Sequence, residues 1–291
     1  MHPAPSVIIF TCLSGLGFGL LTFLGLNFPN VSGWTAFVFF FIAFALAVGG
    51  LISSTFHLGN PQRAVKAFSQ WRTSWLSREG VFAVLALMVM GLYALLVIFF
   101  DTKIAPLGWL GAALSLITAI CTSMIYGQMK TVPRWNMSST PVLYVIYSLA
   151  GGALLAGQMT AALVLIMFLT GFQIYAWMQG DKRFDEAGHK IESATGLGNL
   201  GKVRLLESPH SGENYLTKEM IHKIGRKHAI KLRVISALFL GVLPIFILAF
   251  CEVHHIGAAV LVISHMIGLF VSRWLFFAEA EHVVGLYYDK R

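Results

Sequence analysis

Eight stretches of about 20 mainly apolar residues follow one another along the chain, separated by more polar segments, most of them short. A helix needs about 20 such residues to cross the hydrocarbon core of a bilayer. The predicted spans are roughly 6–27, 33–56, 80–100, 107–128, 139–157, 159–178, 230–251 and 256–278. We therefore expect an all-α fold: a polytopic membrane protein that forms one domain over residues 1–291, a bundle of eight transmembrane helices.

The composition supports this interpretation and excludes several classes of protein. Apolar residues make up 57% of the chain and charged residues only 12%, whereas a soluble protein carries about 25% charged residues. Such a chain cannot cover a water-facing surface, which excludes a soluble enzyme, a nucleic-acid-binding protein and a secreted disulfide-rich domain. The net charge of +8 then indicates loop topology rather than nucleic-acid binding.

The cysteines and histidines lack the spacing of a metal or haem site. Cys12, Cys121 and Cys251 each lie within an apolar run, and the sequence has no C-x-x-C pair, so we expect no iron–sulfur cluster and no structural zinc. A b-type haem between helices needs two axial ligands at similar depth, and only His265 lies deep in a predicted span. We expect His265 to form a hydrogen bond between helices.

Small residues in the first two spans predict close helix packing. They are Gly15-x-x-x-Gly19 in the first span and the Gly49-Gly50 pair in the second. No Lys or Arg precedes the first span, so we expect a retained helix there rather than a cleaved signal peptide.

Positive charge is concentrated on one side of the predicted bundle. An even number of spans places both termini on one side, named side A; the opposite side is side B. Side A has the connections 57–79, 129–138 and 179–229 and the tail after 279. Apart from the long connection, its cations are Arg63, Lys66, Arg72, Arg78, Lys130, Arg134, Lys290 and Arg291. Side B has only Lys103, so the positive-inside rule predicts that side A and both termini are cytoplasmic.

The 179–229 connection is the longest extramembrane segment and is strongly basic. Loops longer than about 15 residues are usually functional or disordered, so we favour a docking surface for a cytoplasmic partner. The alternative is a basic segment that merely lies close to the membrane. Residues 219–224 are expected to form an interfacial helix that leads into the seventh span.

His57 ends the second predicted span and Glu79 opens the third, so both should lie at side A. A titratable histidine and a carboxyl group at a lipid-accessible boundary suit proton exchange with a quinone, because histidine titrates near neutral pH. The residues alone also allow a structural role. His57 would then cap the second helix by bonding a late carbonyl, and Glu79 would favour the positive N-terminus of the third.

Two motifs lie in the side-A connections. The first is His57-Leu58-Gly59-x-Pro61-x-Arg63-Ala64 followed by Leu76-Ser77-x-Glu79, and the second is Thr131-Val132-Pro133-x-Trp135 followed by Thr140-Pro141. These motifs resemble those of the anchor-subunit family of dimethyl sulfoxide reductase, often called DmsC. Chain length, span number and motif order agree with that family, so the resemblance covers essentially the whole chain.

The resemblance implies a subunit with no cofactor of its own, neither haem nor iron–sulfur cluster, and no substrate-converting centre. Such a subunit holds a molybdopterin catalytic subunit and an iron–sulfur subunit on the bacterial inner membrane and exchanges electrons with quinone, either menaquinone or ubiquinone. The family's quinol site involves the motif histidine and the glutamate at the start of the third span, which correspond here to His57 and Glu79.

Further residues are assigned to quinone binding and to partner docking. For quinone binding we add Arg63 and Arg78, which lie near His57 and Glu79 in the sequence, Trp135 of the second motif, and Arg273 near the side-A end of the eighth span. The alternative for Arg273 is a side chain that snorkels to the interface. The residues predicted to dock the iron–sulfur partner are Arg72, Lys130, Arg134, Lys202 and Arg204.

The substrate of the complex is predicted from the charge of the connections. In the dimethyl sulfoxide enzyme, the molybdopterin and iron–sulfur subunits lie on the periplasmic side of the membrane. In this chain the side-A connections, which would hold these subunits, are strongly basic and are therefore predicted to be cytoplasmic. In this respect the chain more closely resembles the anchor of cytoplasmic sulfite dehydrogenases of the same family (SoeC), which passes electrons from sulfite to quinone. The alternatives are the anchor of a dimethyl sulfoxide reductase-type quinol oxidase, a transporter or channel, and a purely structural tether.

Overall fold

The computed structural model describes residues 1–57, 59–207, 209–221 and 227–289. Of the described residues, 76% are helical and none lies in a strand. The principal helices are α1 (Pro5–Gly25), α2 (Gly33–Thr55), α3 (Trp75–Phe100), α4 (Ala105–Gly127), α5 (Ser139–Leu155), α6 (Met159–Glu186), α7 (Ala229–Phe250) and α8 (His255–Ala278). The prediction of an all-α fold is confirmed.

Within the described ranges, seven helices are long and apolar enough to cross a membrane, namely α1 to α4 and α6 to α8. The remaining helix, α5, has 17 residues and is therefore about 26 Å long, a little less than the roughly 30 Å of a hydrocarbon core. It ends at a turn in which Gly157 has a φ of 67°, a left-handed conformation that favours glycine. The count of eight spans stays a prediction, and it depends on α5.

Two helices extend beyond the predicted spans. α3 begins at Trp75 rather than near residue 80, because the Ser74 hydroxyl caps the helix by accepting a hydrogen bond from the Ser77 amide at 3.4 Å. Glu79 therefore lies inside the helix and does not open it. α6 continues to Glu186, so the first part of the predicted 179–229 loop is helical.

The two ends of the described chain lie at the same end of the bundle. The amino group of Met1 donates a hydrogen bond to the Ala280 carbonyl at 2.7 Å, just after α8. The Val283 amide donates to the Thr131 carbonyl at 3.0 Å, in the connection between α4 and α5. These contacts join the start of α1, the end of α8 and the α4–α5 connection on side A, as the predicted topology requires.

α1 lies at the centre of the bundle, where it packs against α2, α4, α5 and α8. Gly17 of α1 lies directly against the backbone of Ala47 in α2, and Gly19 lies against the backbone of Gly152 in α5. A Cβ atom at Gly17 or Gly19 would overlap the neighbouring backbone, so both crossings require glycine at these positions.

The glycines singled out in the sequence differ in their packing. Gly19 and Gly50 lie in close helix contacts, whereas a Cβ at Gly15 would meet only the Ser148 hydroxyl at 3.3 Å, and Gly49 faces open space. The prediction of close packing is therefore correct for one member of each pair. Gly49 and Gly50 are adjacent and point in different directions, whereas Gly15 and Gly19 share a face, and the helices are closer together at Gly19.

α7 contains a π-helical turn over Leu238–Val242 where α8 crosses it. The Ser264 hydroxyl of α8 donates to the Phe239 carbonyl at 2.8 Å, and the Nδ1 atom of His265 lies 3.3 Å from the Leu240 carbonyl. A π turn interrupts the regular hydrogen bonding of a helix, and side chains of α8 contact the carbonyls there. His265 therefore makes the predicted contact between helices.

Short helical segments form most of the remaining connections on side A. They are the 3-10 segments Pro61–Phe68, Gly198–Leu200 and Val283–Tyr288, the short helix Ile191–Thr195 and the π turn Leu216–Met220. The interfacial helix predicted over 219–224 lies partly outside the described residues, which end at 221 in this region.

The adjacent glycines of α2 provide a matched test of the central packing. A Cβ at Gly50 would lie 2.5 Å from the Ser14 amide nitrogen of α1, whereas at Gly49 nothing lies within 4 Å. We expect Gly50→Ala to destabilise the folded protein by about 1–3 kcal/mol through overpacking, and Gly49→Ala to leave stability unchanged or raise it by up to about 1 kcal/mol. Thermal unfolding in detergent measures both, and equal stabilities of the two variants would contradict the α1–α2 contact.

Candidate functional site

A cavity of about 300 Å³ opens on side A between the start of α1 and the ends of α2 and α4. We name it the His57 cavity. Its wall is mostly apolar and includes residues from both sequence motifs. The lining residues that matter below are His57, Leu76, Tyr126, Trp135, Tyr215 and Phe277. The structure thus brings the motif histidine and the motif tryptophan to one cavity.

The His57 side chain is exposed and lines this cavity. The His57 backbone amide donates to the Ser54 carbonyl at 3.1 Å, which turns the chain as α2 ends. No hydrogen bond joins the imidazole to a carbonyl of α2 in the part of the chain that the structure describes. The alternative in which His57 caps α2 through its side chain therefore has no support in the geometry.

Glu79 is buried, with 4% of its surface exposed, and its Oε1 atom accepts a hydrogen bond from the Thr122 hydroxyl of α4. Leu76 lies one turn before Glu79 on α3, and Tyr126 lies one turn after Thr122 on α4; both line the His57 cavity. Since residues three or four apart share a helix face, the Glu79–Thr122 contact lies one turn deeper than the cavity wall. Glu79 does not itself line the cavity.

Two of the arginines predicted to bind quinone lie outside the His57 cavity. Arg78 donates hydrogen bonds to the carbonyls of Trp71 at 3.0 Å and Arg72 at 2.6 Å, and its guanidinium lies 4.3 Å from the Trp75 ring centre. Arg78 thus stabilises the turn before α3. Arg63 is exposed on the segment Pro61–Phe68.

Trp135 belongs to an aromatic cluster that forms the inner wall of the His57 cavity. Its indole nitrogen donates to the Phe276 carbonyl at 2.8 Å, and its ring stacks on Phe276 at 5.3 Å between centroids. Tyr126 contacts Trp135 edge-on at 5.2 Å and stacks on Tyr144 at 5.9 Å. Tyr126 was not among the predicted site residues, although it lies at the side-A end of the fourth span, next to the second motif.

Arg134, predicted to dock the partner, lies in a cluster of ion pairs within the chain. It pairs with Asp181 of α6 and, at 3.2 Å, with Glu279 after α8. Arg233 of α7 pairs with the same two acidic residues, at 2.6 Å and 2.7 Å. These four residues are named the ion cluster; the sequence analysis missed three of its members because they are far apart in the chain.

Arg273 is buried, with 3% of its surface exposed, and so does not snorkel to water. It lies in a second, smaller cavity behind the aromatic cluster, not in the His57 cavity. The other predicted docking residues, Arg72, Lys130, Lys202 and Arg204, are all exposed on the side-A connections. Among the described residues no group of three or more histidine, cysteine or acidic side chains could hold a metal ion.

Comparison with known proteins supplies the family. A model described as DMSO reductase anchor subunit (DmsC) matches residues 1–278. The chain is also 30% identical to a sulfite dehydrogenase subunit of Allochromatium vinosum, over 99% of each chain. No solved structure matches the chain.

Proposed function

This chain belongs to the family of DMSO reductase anchor subunits, and on that premise we propose that it is the quinone-interacting membrane subunit of a three-subunit molybdopterin and iron–sulfur oxidoreductase. In this proposal side A is cytoplasmic, in a bacterial inner membrane. The chain passes electrons between the iron–sulfur partner and menaquinone or ubiquinone, and the substrate chemistry takes place in the partner catalytic subunit.

The observation that carries the proposal is the His57 cavity. Its volume of about 300 Å³ is at the lower end of the range for small-molecule sites, which are mostly apolar with a few polar groups. A quinone has a flat apolar ring and oxygens that gain protons when electrons arrive. The rings of Tyr126 and Trp135 suit the faces of such a ring, and the His57 imidazole can bond the quinone oxygens and exchange a proton with them.

Glu79 is proposed to hold a proton one turn below the cavity. Its carboxyl group is buried and bonded to the Thr122 hydroxyl, and it lies within electrostatic reach of Tyr126, which lines the cavity. A buried carboxyl group in a membrane bundle is costly and is usually functional. In this arrangement His57 exchanges protons with water on side A, and Glu79 adjusts the charge beneath the bound ring.

Sulfite is the proposed substrate of the catalytic partner. The relative that matches over 99% of both chains is a sulfite dehydrogenase subunit, and the basic side-A connections favour catalytic subunits on the cytoplasmic face. The family description names DMSO reductase, so the alternative is a quinol-oxidising complex in which electrons flow in the opposite direction.

The iron–sulfur partner is proposed to dock on the side-A connections. Lys202 and Arg204 are exposed there, and the apolar side chains of Leu200 and Leu206 on the same segment are 86% and 87% exposed. Exposed apolar side chains next to cations suit a partner surface that is apolar at its centre and acidic around it. Arg134 is left out of this surface because its charge is balanced within the ion cluster.

Replacing His57 or Glu79 tests the quinone site. We expect His57→Gln and Glu79→Gln to lower substrate–quinone electron transfer about 100-fold or more, because an acid–base group is lost. The activity with a soluble dye, which bypasses the anchor, should persist in membranes that retain the complex.

The matched controls are His254→Gln and Glu252→Gln on side B, whose side chains are 83% and 94% exposed. Both should keep full quinone-linked activity. A structural tether or a transporter predicts that the His57 and Glu79 variants behave like these controls. Loss of assembly in His57→Gln would favour a structural role for that residue.

Charge reversal tests the docking surface. Changing the exposed residues Arg72, Lys130, Lys202 and Arg204 together to Glu should release the partner subunits from membranes at moderate salt, where exposed charge pairs are already weakened. The control is Lys103→Glu on side B, which should retain them. Unchanged retention of the partner subunits in the fourfold variant would refute docking through these connections.

A further inference from the structure

Arg273 is a buried cation inside the bundle whose nearest neighbours are aromatic rings. Its guanidinium carbon lies 3.9 Å from the ring centre of Tyr144, 4.4 Å from that of Tyr147 and 5.5 Å from that of Phe276. No carboxylate of the described residues lies within 4.0 Å of it. Contacts with aromatic faces stabilise a cation only partly, and an ionised group in a membrane bundle needs a compensating charge or strong hydrogen bonds.

The acidic residues around Arg273 form no ion pair with it among the described residues. In the ion cluster, Arg134 and Arg233 are balanced by Asp181 and Glu279. Glu279 is the acidic residue that lines the cavity of Arg273, but its two oxygens are already bonded to the other arginines. Glu79 is bonded to Thr122, and Glu281 lines the neighbouring cavity rather than that of Arg273.

The cavity beside Arg273 also contains two buried hydroxyl groups. We name this space of about 40 Å³, which lies between α5, α6 and α8, the Arg273 cavity. The Ser139 and Tyr144 hydroxyls line it, with 2% and 5% of the residue surface exposed. The Ser139 hydroxyl has no hydrogen-bond partner among the described residues, and the Tyr144 hydroxyl has none there besides Arg273. Ser139 is the first residue of α5, so the positive end of a 17-residue helix points toward the same space.

We propose that the Arg273 cavity is a binding site for a small monovalent anion of the size of chloride. The guanidinium of Arg273, the Ser139 and Tyr144 hydroxyls and the N-terminus of α5 can all donate to a negative ion. A buried water needs about 10–15 Å³, so 40 Å³ has room for a monatomic ion with one or two waters. It is too small for a quinone ring, which argues against the predicted contact between Arg273 and quinone.

A larger cavity lies next to the Arg273 cavity. It has a volume of about 220 Å³, is lined by the ion cluster and Glu281, and shares Arg134 and Glu279 with the Arg273 cavity. Arg273 also acts electrostatically on Tyr126 in the wall of the His57 cavity, so occupancy would change the field at that cavity. The proposal does not depend on quinone binding there.

Chloride binding can be measured on the full-length chain in detergent without an activity assay. Thermal unfolding is followed in sodium gluconate while chloride replaces gluconate at constant ionic strength. Because a ligand that binds only the folded state stabilises it by mass action, we expect the melting temperature to rise with chloride and to saturate. A melting temperature that is the same in the two salts would overturn the proposal and indicate a cavity that holds water only.

Single substitutions test whether chloride raises the melting temperature by binding in the Arg273 cavity. Ser139→Ala and Tyr144→Phe keep every charge and remove one hydroxyl each, so they should fold and should raise the half-saturating chloride concentration about tenfold, the cost of one hydrogen bond to a charged group. Arg273→Met should abolish the chloride effect. The control Lys202→Gln removes an exposed cation and should leave the effect unchanged.

Bromide provides an independent structural readout. Crystals of the protein grown in bromide should show anomalous density beside the Arg273 guanidinium. Absence of bromide from the Arg273 cavity, or a half-saturating chloride concentration that is unchanged in both hydroxyl variants, would refute this site.

Discussion

Glu279, just after α8, accepts hydrogen bonds from Arg134 in the α4–α5 connection and from Arg233 near the start of α7. Asp181 of α6 binds the same two arginines. Only 4% of the Glu279 surface is exposed, and the two arginines held against it offset the cost of burying its carboxyl group; removing one partner of a buried pair costs about 3–5 kcal/mol. The ion cluster therefore holds α6, α7, α8 and the α4–α5 connection together on side A.

The candidate site depends on that cluster. Arg134 directly precedes Trp135, whose ring forms the wall of the His57 cavity and stacks on Phe276 of α8. The ion pairs hold the α4–α5 connection in place, and this connection positions Trp135. Trp135 lines the His57 cavity, and Phe276, on which its ring stacks, lines the Arg273 cavity. We therefore propose that quinone binding and partner docking both take place on side A. Electrons that pass from the iron–sulfur partner to quinone then need not cross the membrane.

The sequence was sufficient to predict the helices and the position of the motif residues, but not the side-chain partners. Apolar runs identify spans because the membrane core has a fixed thickness, and the two motifs correctly indicated that His57 and Trp135 lie on the same side. Glu79 was expected at the start of the third helix, but Ser74 caps α3, so the helix begins at Trp75 and Glu79 lies inside it. The ion pairs of Arg134 join segments far apart in the chain, and no local pattern predicts such pairs.

The central claim is that quinone binds in the His57 cavity on side A. The most direct measurement is labelling of the membrane-bound complex with a photoreactive quinone analogue, followed by identification of the labelled residues. We predict that the label lies on cavity residues such as Leu76, Trp135 and Met220, and that excess quinone removes it. Specific labelling around Trp34 or Trp109, which lie at the side-B ends of α2 and α4, with none in the cavity would contradict the account.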